Sequence, residues 1–227
     1  MNQELPTTPA APQQLIVRQC EAYLAAHGDT HQGVGWPHYA DAQARYQVML
    51  DGLRSAVPAD GRPVRVLDFG CGPAHFYEFL QRQPLPFSLD YTGLDLLADS
   101  LALARAKFPD RPFLHLDVLQ EPGRLPAFDY VVLNGIFTQK CALSFEQMWA
   151  YCQQLLQVIW PKTTYGLAFN AMSKQVDWER DDLFHLPLDT LAPFLARHLT
   201  RHFALRHDYG LYEFTTYLYK APRRPAP

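Results

Sequence analysis

Three residues within five positions carry the chemistry that this sequence announces most clearly. Val64-Arg65-Val66-Leu67-Asp68 is an apolar run closed by a carboxylate, and Phe69-Gly70-Cys71-Gly72-Pro73-Ala74 follows it directly. The run reads as a buried strand, and a helix is expected to open near Ala74. Glycines at 70 and 72 permit a tight turn and let a ligand approach the backbone. The free N–H groups of the helix start favour negative charge. In an open α/β sheet such a ligand lies outside the carboxyl ends of the strands. The expected ligand is therefore a nucleotide-type cofactor. The dinucleotide fingerprint G-x-G-x-x-G/A would need Gly or Ala where His75 stands. A carboxylate at Asp68 would also serve a pyrophosphate badly, and suits a ligand bearing an ammonium group.

Further polar residues fall at intervals along the chain. Asp95 ends the run Tyr91–Leu94 and lies 23 residues after Gly72, close to the roughly 20 expected for an acid that binds ribose hydroxyls. Asp117 ends a third run, Phe113–Leu116, and Asn134-Gly135 a fourth that begins near Phe128. His75 and His185 are the candidates for a general base, and neither is assigned that role. Trp36 and Arg45 either pack the N-terminal helices on the body or close the pocket. In the second reading Trp36 is an apolar wall and Arg45 an anion clamp. Asp177-Trp178-Glu179-Arg180-Asp181-Asp182 reads as a solvated polar loop rather than a metal site.

The segment from Val64 to Ala74 resembles motif I of the class I S-adenosylmethionine-dependent methyltransferases, V-L-D-x-G-C-G-x-G/A. The resemblance extends in order to about Lys220. It implies S-adenosylmethionine as cofactor, bound by Asp68, Gly70 and Gly72 at the first strand. Asp95-Leu96 would bind the ribose, Asp117-Val118 the adenine, and Asn134-Gly135, at the methyl-transfer site, would also contact the cofactor. A narrower resemblance, to a bacterial subgroup with W…Q-x-R-F and S-G-I-F-N elements, rests on Gly35-Trp36, Gln43-x-Arg45-Tyr46 and Leu133-Asn134-Gly135-Ile136-Phe137. Here Tyr46 replaces Phe, Asn134 replaces Ser, and Thr138 replaces Asn. Metal-dependent members would place an acid where Asn134 stands, so no metal is expected. DNA adenine methyltransferases carry N/D-P-P-Y/F after strand four, and Asn134-Gly135-Ile136-Phe137 lacks both prolines. The expected acceptor is a small metabolite, sugar or natural-product intermediate. Two other readings stay open: a non-catalytic cofactor- or partner-binding protein, and a nicotinamide-dependent oxidoreductase on a similar fold.

The elements that must position these residues alternate. Strand signals lie at Val64–Phe69, Tyr91–Leu94, Pro112–Leu116, Tyr130–Asn134, Tyr165–Asn170, Ala204–His207 and Phe214–Lys220. Helical stretches lie at Ala74–Arg82, Ala98–Lys107, Ser144–Ile159 and Leu188–His198. Such alternation implies an α/β, Rossmann-like, mostly parallel sheet, here of seven strands. The short turn at Asp208-Tyr209-Gly210 can only join an antiparallel pair, at the C-terminal end of the chain. Two amphipathic helices, Gln13–His27 and about Tyr39–Arg54, precede the first strand. They are expected to form a cap over the acceptor side of the pocket, hinged at Gly28–Gly35. Residues 1–12 are expected to be a disordered leader, 64–220 the methyltransferase-like domain, and 221–227 a disordered tail.

Composition narrows the partners. The net charge is −3 over 227 residues with no long run of one sign, which leaves no electrostatic footprint for nucleic acid or an anionic membrane. Cys20, Cys71, Cys141 and Cys152 are scattered, without a C-x-x-C pair, as expected of reduced thiols in a cytoplasmic protein. No apolar run approaches the 18 residues of a membrane span.

Overall fold

Strands that are apolar on both faces need helices on both sides. In the computed structural model, which describes residues 12–54 and 60–223, they have them. Of the expected leader only residue 12 falls within the described residues, and of the expected tail only 221–223. The sheet is built of β1 (Val64–Phe69), β2 (Leu89–Asp95), β3 (Phe113–His115), β4 (Phe128–Phe137), β5 (Thr163–Ser173), β6 (His185–Leu186), β7 (Phe203–Arg206) and β8 (Glu213–Tyr219). Their order is β3-β2-β1-β4-β5-β8-β7, with β6 paired beside the end of β5. β1 to β5 run parallel. β8 is antiparallel to both β5 and β7, the arrangement the short turn requires.

Among the described residues the expectation of seven strands is corrected to eight. The additional strand, β6, is two residues long and pairs in parallel with Met172 and Ser173. It follows the charged run 177–182 and is stopped by Pro187, so it has no periodicity by which it could be read. The reading of mixed α/β topology stands.

The helices are α1 (Pro12–His27), α2 (Tyr39–Leu53), α3 (His75–Gln81), α4 (Ala98–Lys107), α5 (Phe145–Ile159) and α6 (Leu188–Phe194). α5 opens on a capping box, in which Ser144 accepts from Gln147 N–H and the Gln147 side chain accepts from Ser144 N–H. Successive strand residues face opposite layers. Leu67, Val131, Leu133 and Phe169 pack with α5 and α6. Val66, Tyr130, Val132 and Ala168 pack with α2 and α3. Among the described residues no helix is long and apolar enough to cross a membrane.

The two N-terminal helices pack differently. α2 is part of the layer that covers the sheet. Its Met49, Leu50 and Leu53 are fully buried, and they belong to the same cluster as residues of β1, β4 and β8. α1 lines the pocket through Gln13, Ile16, Val17, Cys20 and Tyr23, and α2 reaches it through Tyr46. Leu50→Ala should therefore cost about 2–5 kcal/mol in urea unfolding, as for other fully buried leucines. A cost below about 0.5 kcal/mol, the range of surface substitutions, would place α2 at the periphery instead.

Candidate cofactor and acceptor site

The loop after β1 alternates ordinary and left-handed backbone. Gly70, Gly72 and Ala74 have φ of 73°, 52° and 64°. The N–H groups of Gly70 and Cys71 both donate to Leu94 O, at 2.7 and 3.0 Å, which draws the loop onto the end of β2. Ala74 caps α3 in the left-handed region without glycine's freedom, a conformation that costs of order 1–3 kcal/mol. A Cβ on Gly70 would lie 2.1 Å from Ile136 Cδ1, whereas one on Gly72 would meet only Val34, at 3.4 Å. Gly70 is thus demanded by packing, and Gly72 by its conformation and by the space before it.

This loop forms one wall of a cavity at the carboxyl edge of the sheet, which Asp68, Asp95, Leu96, Asn134 and Gly135 also line. Asp68 is buried and accepts a hydrogen bond from Tyr91 Oη at 2.7 Å. Burial pushes its carboxyl up to about 7, with nearby Asp95 adding to the rise and the Tyr91 hydroxyl opposing it. Asp95 accepts from Gly72 N–H at 2.7 Å and from Leu97 N–H at 2.8 Å. Burial raises its carboxyl too, against these backbone donors. Asp117 accepts from Leu119 N–H and from Gln13 Nε2 at 3.2 Å. With Val118, Phe69 and Tyr151 it lines a small recess that shares Gln13 and Leu96 with the main cavity.

The Asp68 carboxyl gives the site a pH dependence. Its pKa in the fold lies above the ordinary carboxylate value, so the free fold binds a proton that the unfolded chain has released. Free-fold stability contributed by this group therefore declines as pH rises from about 4 to about 7. A cationic ligand favours the ionised form and reverses the preference. Cofactor affinity should rise with pH up to about 7, by at most tenfold per unit, and binding below that pH should release protons. Calorimetry in buffers of different ionisation enthalpy measures this release. A flat profile from pH 5.5 to 8 would remove Asp68 from contact with the ammonium.

α1 covers one side of this cavity through Gln13, Ile16, Val17, Cys20 and Tyr23. The following loop adds Gly33, Val34 and Trp36. The edge of Trp36 packs on Gly135, where a Cβ would lie 2.7 Å from Trp36 Cζ2 and where φ is 90°. The Asn134 Oδ1 is buried without a hydrogen-bond partner, although its residue lines the cavity.

The remaining sequence candidates fall in different places. Arg45 does meet a carboxylate, but it is the chain's own. Its Nε and Nη2 donate to Glu213 Oε2 at 2.9 and 2.8 Å, and its guanidinium lies 4.0 Å from the Trp36 ring centroid. His75 lines the cavity, and its Nε2 lies 2.7 Å from Asp29 Oδ1, which Lys107 also holds. Burial lowers its pKa against the pull of Asp29, keeping the ring neutral near pH 7. His185 is buried, with Nδ1 2.7 Å from Ser173 O and Nε2 3.3 Å from Arg180 N. Both ring nitrogens are occupied by backbone, and His185 does not line the cavity. In the charged run Arg180 pairs with Asp182, and Glu179 with Lys174.

The sequence did not reveal Glu213, Asn170, Gln13 or Asp29. A usable signal existed for Glu213. The last strand of the hairpin is antiparallel, so its first residue must lie at the same edge as the carboxyl ends of the parallel strands.

An acid at the end of β1, a glycine turn with open space at Gly72, and an acid on β2 suit a cofactor with ammonium and ribose groups. Comparisons agree. Residues 66–162 match the family model described as a methyltransferase domain. The chain is 29% identical over 161 residues to Rv1506c of Mycobacterium tuberculosis, which is assigned as a methyltransferase; the match covers 70% of this chain and 95% of that protein. Among solved structures, the fold is similar to magnesium protoporphyrin IX methyltransferase from Synechocystis with bound S-adenosylmethionine. That match has a TM-score of 0.60 at 15% identity, covering 94% of this chain and 100% of that one. It is also similar to DhpI in a complex with S-adenosylmethionine, with a TM-score of 0.58 at 14% identity over 93% and 99% of the two chains. Taken with the ordered motifs and the carboxyl-edge cavity, these matches support an S-adenosylmethionine-dependent methyltransferase.

Proposed function

We propose that this methyltransferase acts on a small-molecule acceptor that enters beside Trp36 and Asn134. The observation that carries this reading is the wall at the end of β4. There an apolar ring packs on Gly135 next to a buried, unpartnered acceptor atom, Asn134 Oδ1, within a cavity largely closed by α1 and its following loop. The net charge of −3 and the lack of a basic run support a small acceptor over nucleic acid. So do the names of two fold neighbours, the magnesium protoporphyrin IX methyltransferase and the pyocyanin biosynthetic protein PhzM. We also place the protein in the cytoplasm, in keeping with its four free cysteines.

Bound S-adenosylmethionine supplies a methyl group already activated by a sulfonium, so the chain's own work is to bind, orient and exclude water. Asp68 and Gly72 would hold the methionine part, Asp95 and Leu96 the ribose, and Asp117 and Val118 the adenine. Trp36 and Asn134 would hold the acceptor, with Arg45 behind Trp36 rather than on the acceptor. Alignment of this kind supplies roughly 7–11 kcal/mol of a barrier. Where the acceptor is a hydroxyl, His75 is the base the geometry favours. It is neutral, lines the cavity and is oriented by Asp29. A base adds on the order of 10²–10⁴-fold.

Incubating the protein with methyl-labelled S-adenosylmethionine and fractionated host extract tests the reading. Label in the low-molecular-mass fraction supports it. Label confined to protein or nucleic acid overturns it.

A further inference from the structure

Five residues from separate parts of the chain close a ring behind the acceptor wall. Glu213, the first residue of β8, is 1% exposed and uses both carboxylate oxygens. Oε2 receives the Arg45 guanidinium, and Oε1 accepts from Asn170 Nδ2 at 2.8 Å and from Tyr209 Oη at 3.3 Å. Arg45 lies under the Trp36 ring. Trp36 packs on Gly135. Gly135 N–H donates to Asn170 Oδ1 at 2.7 Å, which returns the path to Glu213. No member of this circuit is adjacent to another in sequence, and neither Glu213 nor Arg45 lines the cavity.

A buried ion pair is weak evidence for stability, because desolvation offsets the attraction. Its better-attested use is to fix one arrangement among several. Here both arms of the carboxylate end on the acceptor wall. One arm holds the Trp36 ring through Arg45. The other holds the Asn134–Gly135 peptide through Asn170. We propose that Glu213 is a positioning residue for methyl transfer, setting the Trp36 ring and the Asn134–Gly135 segment in one fixed relation to the acceptor. The proposal rests on the reading of that wall as the acceptor side.

The test uses the full chain labelled with 5-fluorotryptophan. Fluorine resonances report the four tryptophans, and Trp36→Phe assigns the Trp36 line. In Glu213→Gln the Trp36 line should move or broaden while those of Trp149, Trp160 and Trp178 stay. S-adenosylhomocysteine, whose site lies along α1, β1 and β2, should bind within about threefold of wild type, as expected of a separate site. Methyl transfer from labelled S-adenosylmethionine to the extract fraction that wild type labels should fall by about 10–100-fold, the effect of a small misplacement. Glu213→Asp keeps the charge on a shorter arm and should fall between the two in both the Trp36 line and transfer. An unmoved Trp36 line in both variants overturns the proposal. So does loss of all four lines together with S-adenosylhomocysteine binding in Glu213→Asp, which would make Glu213 a support of the whole fold. A wild type that labels no fraction counts against the acceptor reading alone, and the Trp36 line then decides the positioning role.

Discussion

Replacing Gly72 by valine should abolish measurable cofactor binding in a chain that still folds. Gly72 sits at φ 52°, where a β-branched residue is strained by of order 1–3 kcal/mol. Its N–H also donates to Asp95 Oδ2 at 2.7 Å, so a shift of this peptide disturbs the Asp95 carboxylate as well. The added methyl groups would enter the cavity that Gly72 lines. Strain and collision together predict an affinity loss beyond about 100-fold, since each 1.4 kcal/mol is a factor of ten. The readout is thermal stabilisation by S-adenosylhomocysteine, with circular dichroism confirming the fold. A variant stabilised as much as wild type would show that the loop is not the site. Gly70 behaves differently, because a side chain there strikes Ile136 directly and acts first on packing.

Asp95→Ala should weaken the cofactor by at least about tenfold, from the loss of charge-assisted hydrogen bonds worth roughly 1.5–3 kcal/mol each. It also leaves the N–H groups of Gly72 and Leu97 without their acceptor. A stability cost of about 1–3 kcal/mol should therefore accompany it. Asp95→Asn keeps one acceptor and should lose less affinity. Fluorescence or calorimetric titration of both variants with S-adenosylhomocysteine distinguishes the roles. Wild-type affinity in both would reduce Asp95 to a turn residue.

The fold was legible wherever burial leaves a long periodic trace. β1 is apolar because helices cover both its faces, and α5 shows its buried stripe and its capping box in plain residues. Asp68, Gly72 and Asp95 were legible as a group from their spacing along adjacent strands, and the structure brings all three to one cavity. β6 was not, since two residues have no period. The packing of α2 was not, because amphipathicity shows that a face is buried but not against what. Nor was the use of Arg45. A lone arginine near a pocket reads equally as a clamp on a ligand or as the partner of a distant acid. Its partner, Glu213, lies 168 residues away, on the strand whose reversed direction brings it to the same edge. Contacts of that range arise from topology, and no local pattern encodes them.

Isothermal calorimetry of the wild-type chain with S-adenosylmethionine and S-adenosylhomocysteine tests the central claim most directly. The account predicts that each binds at one site per chain, more tightly as pH rises to about 7, where the Asp68 carboxyl ionises. A folded chain that takes up neither ligand at any pH in that range would contradict it.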